Sequence, residues 1–150
     1  MEYTAHLTRD GRRTVITFPD CPGCQTFAER RDEIDSVARE ALEGWLETHL
    51  VTGDLPPLPS ARDARRGKSR EERRRVTIDS ALALRLTLRW ARHARGLSQG
   101  ELAKLTGVSR QQISLLEAPD TNPTLLTLQK VAEALGMDLQ ISLIPRSSAA

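Results

Sequence analysis

The chain has 150 residues, 39% of them apolar, and 22 basic against 20 acidic side chains leave a net charge of +2. That is material for one ordinary domain or two small ones, and no apolar run approaches the roughly 18 residues of a membrane span. Met1-Glu2-Tyr3 lacks the basic region and apolar stretch of a secretory signal, which points to a cytoplasmic site, and two cysteines make no disulfide framework.

Along the chain, Tyr3–Arg9 alternates with Tyr3, Ala5 and Leu7 on one face, Asp10-Gly11 supplies a hairpin turn, and Val15-Ile16-Thr17-Phe18 is β-rich. Pro19-Asp20-Cys21-Pro22-Gly23-Cys24 reads as a rigid turn and Gln25–Ala28 as a returning strand. Ile34, Val37, Ala38, Ala41, Leu42, Trp45, Leu46 and Leu50 then fall on one helical face. A helix laid on a small antiparallel sheet buries both apolar surfaces, with Tyr3, Phe18 and Trp45 in the core. Cys21 and Cys24 form a lone CxxC. Zinc needs four ligands, no second CxxC or HxxxH follows, and His6, His49 and His93 are scattered, so a turn with one buried cysteine is expected, with no metal and no cofactor. Asp10 and Asp20 are the only acids in the strand-and-turn region, too few to assemble a metal-dependent nuclease site, and the chain is read as a non-enzyme.

Gly53-Asp54-Leu55-Pro56-Pro57-Leu58-Pro59 breaks any helix, and Ser60–Arg75 has almost no apolar residue. This reads as an exposed linker. Its Arg62, Arg65, Arg66, Lys68, Arg70, Arg73, Arg74 and Arg75 either form a solvated tether or add DNA affinity through counterion release. Val76-Thr77-Ile78 reads as a short strand. Three segments follow: an N-terminal domain over 1–53, a Pro/Arg-rich linker over 54–79 and a DNA-binding domain over 80–150. Residues 1–53 hold 6 basic and 10 acidic groups, residues 54–79 hold 8 and 5, and residues 80–150 hold 8 and 5, giving −4, +3 and +3. An acidic module joined to basic ones suits a basic protein partner at one end and nucleic acid at the other.

In the last segment Ser80–Arg95 carries Leu82, Leu86 and Trp90 on one side and Arg85, Arg89 and Arg92 on another, and Gly96 stops it. Ser98 sits at an N-cap position and Glu101 completes a capping box. Leu102, Ala103 and Leu105 form the apolar side of the helix that starts near Gln99, Gly107 ends it, and Val108 packs into the turn. Ser109 caps a second helix on which Ile113 and Leu116 face inward, leaving Arg110, Gln111, Gln112 and Ser114 outward. Those are base-reading and phosphate-binding side chains, in the part of a helix that enters a major groove. Asn122-Pro123 marks a turn, Thr124 a cap, and Leu125, Leu128, Val131, Ala132 and Leu135 a helical stripe ended by Gly136. Leu139–Pro145 alternates as a strand without an evident partner in its own half, which suggests antiparallel pairing with a second copy.

Two resemblances rest on these residues. Over about residues 82–136 the Ser-Gln opening at Ser98-Gln99 and the Gly107-Val108-Ser109 turn resemble the Xre-type helix-turn-helix family. The resemblance implies that Gln99 contacts phosphate and that Arg110, Gln111 and Ser114 read bases; Leu115 stands where a polar residue is frequent and would meet a thymine methyl or a protein. Over about residues 3–50, the Asp10-Gly11 turn, Phe18-Pro19-Asp20, Pro22-Gly23-Cys24 and the helix ending Ala41-Leu42-Glu43-Gly44-Trp45-Leu46-Glu47 look like the N-terminal domain of HicB antitoxins. That implies an α+β chain: a degraded ribonuclease-H-like sheet with a covering helix, linked to an all-α helix-turn-helix domain with a C-terminal strand. It also implies the partners, namely a small basic HicA ribonuclease bound by the N-terminal domain, and operator DNA. Asp20, Glu29, Asp32 and Glu33 are the candidate toxin-binding acids, with charge stabilisation of the helix start as the plain alternative for Asp32 and Glu33. A stand-alone regulator whose N-terminal domain senses a ligand or dimerises is the competing function.

Overall fold

The computed structural model describes residues 1–60, 72–118 and 122–142. Four strands, β1 (Glu2–Asp10), β2 (Arg13–Thr17), β3 (Gln25–Ala28) and β4 (Glu72–Thr77), form one antiparallel sheet in the order β3-β2-β1-β4. Asp10 pairs with Arg13 across a two-residue turn in which Gly11 takes φ +57°, a backbone state only glycine enters without strain. The register sets Leu7 opposite Ile16 and Tyr3 opposite Val76, so the apolar members of three strands share one face.

Helix α1 (Ile34–Thr52) covers that face with Ile34, Ala38, Leu42, Leu46 and Leu50, after a 3-10 turn at Arg31–Glu33. Tyr3 and Phe18 are core as expected, and Trp45 packs at its margin with its ring 3.8 Å from that of His49. The turn between β2 and β3 buries both Cys21 and Cys24 rather than one, closed by bonds from the Cys21 N–H to the Phe18 carbonyl and from the Cys24 N–H to the Cys21 carbonyl, each 2.9 Å.

Part of the stretch read as linker is sheet. The strand expected at Val76–Ile78 begins at Glu72 and runs as β4 along β1, continued by a bond from the Ile78 N–H to the Met1 carbonyl. Only Val76 of β4 is buried, because an edge strand can hold by backbone pairing and ion pairs such as Arg74–Asp35 and Arg75–Glu2, which hydrophobic periodicity does not register. Arg62, Arg65, Arg66, Lys68 and Arg70 lie outside the described residues. Residues 54–60 form a strap over the sheet unit: Pro56 is buried, the Tyr3 hydroxyl donates to the Pro57 carbonyl at 3.2 Å, and Ser60 donates through its N–H and hydroxyl to Asp20.

Helix α2 (Ser80–Ala94), capped by Asp79, serves two cores. Leu82, Leu86 and Trp90 complete the core of the sheet unit, and the Trp90 indole N–H donates to the Pro56 carbonyl at 2.7 Å. Leu88, flanked by Leu84 and Ala91, joins the core formed by α3 (Gln99–Thr106), α4 (Arg110–Leu116) and α5 (Leu125–Ala134). The arginine side of α2 is therefore largely enclosed as well. Arg89 and Arg92 are buried, Arg89 donating to the Leu50 carbonyl at the end of α1, where the helix dipole welcomes a cation. After Gly136 the described residues 137–142 carry no strand; Leu139 packs on the second core, and residues 143–145 lie outside the described residues.

Candidate nucleic-acid interface

The helix-turn-helix is built from two reciprocal caps. At the start of α3 the Ser98 hydroxyl accepts from the Glu101 N–H at 3.2 Å while the Glu101 carboxylate accepts from the Ser98 N–H at 2.7 Å. Those bonds hold the exposed Glu101 carboxyl below its usual range. At the start of α4 the Ser109 hydroxyl accepts from the Gln112 N–H at 3.2 Å and the Gln112 amide oxygen accepts from the Ser109 N–H at 3.1 Å. Gly107 at φ +67° ends α3 and sets the corner between the two helices. Ile113 and Leu116 are buried beneath α4, and Arg110, Gln111, Gln112 and Ser114 are exposed together on its outer side. Gln112 thus spends its amide oxygen on its own helix start, a role the sequence reading did not give it. Beside α4, a groove of about 250 Å³ runs between Leu115 and the Asn122–Thr124 turn, and Leu115 is 48% exposed there.

Beneath this surface lies a link absent from the sequence reading. Arg92 donates from two guanidinium nitrogens to the two oxygens of Glu117 at 2.5 and 2.8 Å, both side chains buried, and donates a third bond to the Leu97 carbonyl at 2.8 Å. The Gln99 amide donates to the same Glu117 carboxylate at 3.1 Å. Glu117 is the C-cap of α4 and Gln99 the first residue of α3, so one carboxylate ties α2, α3 and α4 at fixed mutual positions. Burial first, and then the nearby Arg92 and Arg89 charges, lower the pKa of His93 on the same patch. A sequence signal for the link existed: an acid at a helix C-terminus opposes the dipole and wants a cation.

A family model described as "HicB_like antitoxin of bacterial toxin-antitoxin system" matches residues 3–86, and one described as "Helix-turn-helix" matches residues 88–141. The chain belongs to the HicB-like antitoxins. It carries a helix-turn-helix unit behind the antitoxin region. It is similar to the HTH-type transcriptional regulator SutR of Escherichia coli K12, 36% identical over 66 residues, which are 44% of this chain and 37% of SutR. It is also similar to the HTH-type transcriptional regulator y4dJ of Sinorhizobium fredii, 44% identical over 46 residues, 31% of this chain and 60% of that protein. The chain spans less than two thirds of the length of either curated relative. Among solved structures, a HicA3 and HicB3 toxin-antitoxin complex aligns at TM-score 0.45 and the N-terminal domain of Burkholderia pseudomallei HicB at 0.44. Each is 24% identical, covering 53% of this chain and 99% of that one.

The HicB-like match reaches past β4 into α2, in keeping with the shared helix. In the HicB-like half the four acids read from the sequence are all engaged. Asp20 holds Ser60, Glu29 meets Arg13 at 3.4 Å, and Asp32 and Glu33 meet Arg30 at 2.6 and 3.8 Å. The last three are exposed pairs, of a kind worth about 0–1 kcal/mol. Burial pushes the thiols of Cys21 and Cys24 up to about 12 and about 11, with the neighbouring Cys24 and Asp20 charges adding to the first, so both stay protonated at neutral pH. Among the described residues no three His, Cys, Asp or Glu side chains group as metal ligands, and no helix is long and apolar enough to cross a membrane.

Proposed function

We propose that this HicB-like chain is a cytoplasmic binding protein, the antitoxin of a type II pair, that inhibits a small HicA-like ribonuclease through its sheet unit and represses its own operon through its helix-turn-helix. The reading rests on one observation: an antitoxin-family region and a capped helix-turn-helix share a single chain and a single helix, α2. Operator recognition falls to Arg110, Gln111, Gln112 and Ser114 on α4, with Gln99 on phosphate. On the other unit Glu29, Asp32 and Glu33 can exchange their weak arginine partners for a toxin's cations, and Asp20 shapes the strap beside them. Two chains on a palindromic operator would place two α4 helices in successive turns of the major groove. Pairing of the segment after Gly136 remains the proposed contact, and a chain cut before Met137 should sediment as a monomer.

The test uses the full chain. Expressed alone, the short reading frame beside this gene should arrest growth, and co-expression of this protein should relieve the arrest. A variant with Arg110 and Gln111 both changed to alanine should still relieve it while losing repression of its own promoter. If the neighbour is harmless, the antitoxin reading falls and the stand-alone regulator takes its place, in keeping with the similarity to two HTH-type transcriptional regulators.

A further inference from the structure

Helix α1 carries a glycine that the fold does not use. Gly44 lies in the middle of a 19-residue helix, without positive φ, and a Cβ built on it would meet no atom within 4 Å. Glycine is among the poorest helix formers, and neither turn geometry nor packing against this chain calls for it here. Its neighbours on the helix surface are Glu40, Glu47 and Val51, at spacings of four, three and seven residues. All four are exposed, Val51 at 71%, on the side opposite the buried stripe of Ala38, Leu42 and Leu46.

Most other acids of the unit are engaged. Glu29, Asp32, Glu33 and Asp35 sit against arginines of the chain, and Glu43 accepts from the Asp79 N–H at 2.7 Å. Glu40 and Glu47 have no partner among the described residues. Among the described residues the face is thus unpartnered, with two carboxylates, an exposed valine and a notch where a second backbone can approach closely.

We propose that the Glu40–Gly44–Glu47–Val51 face of α1 is the docking surface for a basic protein partner, which inserts a backbone segment or small side chain over Gly44 and places cations on Glu40 and Glu47. The proposal rests on the antitoxin reading and adds to Glu29, Asp32 and Glu33 a second surface for the same partner. The same face of a second copy would set carboxylate against carboxylate, and a nucleic acid would set phosphate against them, so charge favours a basic protein surface over both.

The test compares three full-length proteins, wild type, Gly44→Gln and Glu40→Lys with Glu47→Lys, for binding to the purified product of the adjacent short reading frame by calorimetry. Gly44→Gln fills the notch while improving helix propensity, so it should melt at or above the wild-type temperature and still bind the promoter, yet bind the small protein at least about tenfold more weakly. The charge reversal should weaken binding by a similar factor, more at low salt than at high salt. Wild-type affinity in both variants, beside a wild type that binds and neutralises, overturns the surface and leaves the antitoxin reading intact. Failure of the wild type itself to bind overturns both. A change of sedimenting mass in Gly44→Gln with unchanged affinity for the small protein assigns the face to a second copy and also overturns the proposal.

Discussion

The helix-turn-helix and the sheet unit are stabilised over very different distances along the chain. In the former each defining bond spans three residues, Ser98 to Glu101 and Ser109 to Gln112, so every element carries its own start signal. In the latter the strand that completes the sheet, β4, pairs with a strand some seventy positions earlier, as when Tyr3 faces Val76. In the first kind each helix start is signalled by its own neighbours. The second exists only when distant segments are present together, and α2 makes each kind depend on the other.

Four substitutions break or sharpen this contrast. Arg92→Ala should have the largest effect, about 3–5 kcal/mol of unfolding free energy by denaturant titration, because it strands Glu117 as a buried unpaired charge. A hydrophobic replacement of both partners should recover much of that loss. Leu86→Ala, which truncates a fully buried residue of α2 facing the sheet core, should cost about 2–5 kcal/mol. Its transition should remain single by calorimetry if the units melt together; two separated transitions would show that sharing a helix does not couple them. Arg110→Ala should leave stability unchanged and weaken specific operator binding by about 1–3 kcal/mol if it contacts a base bidentately. Equal loss on random DNA in a gel-shift titration places Arg110 on phosphate instead.

Ser98→Ala should have the smallest effect, about 1 kcal/mol, confined to α3. It also has a pH signature. The folded-state pKa of Glu101 is lowered, chiefly by its bonds with Ser98, so the stability it brings is complete above the ordinary glutamate value of 4.5 and disappears as pH falls through the lower folded value. Acid melting curves of wild type should therefore fall toward those of Ser98→Ala below that range, while the two differ near neutrality.

What could be read in advance follows the same division. The caps at Ser98 and Ser109, the stop at Gly107 and the inward pair Ile113 and Leu116 are local, and each stands where the sequence places it. The hairpin at Asp10-Gly11 and the stripe from Ile34 to Leu50 are likewise local in origin. Glu72–Arg75 escaped notice because arginine and glutamate on an edge strand have no apolar rhythm, and only the neighbouring β1 makes them sheet. The burial of Arg89 and Arg92 was not legible in the sequence, because it comes from α2 being enclosed from two directions by segments distant in the chain. At the interface, the outward set on α4 was legible from spacing, but the carboxylate that fixes Gln99 and the end of α4 depends on an arginine twenty-five positions away.

The position of β1 also sets the order in which the protein can be made. Strand β1 lies between β2 and β4, and its second edge stays open until residues near Ile78 have been added. A message broken upstream of that codon therefore yields a product with an unsealed sheet and without the α2 residues that finish its core. Damage to the transcript before that codon and loss of the completed sheet unit are thus one event.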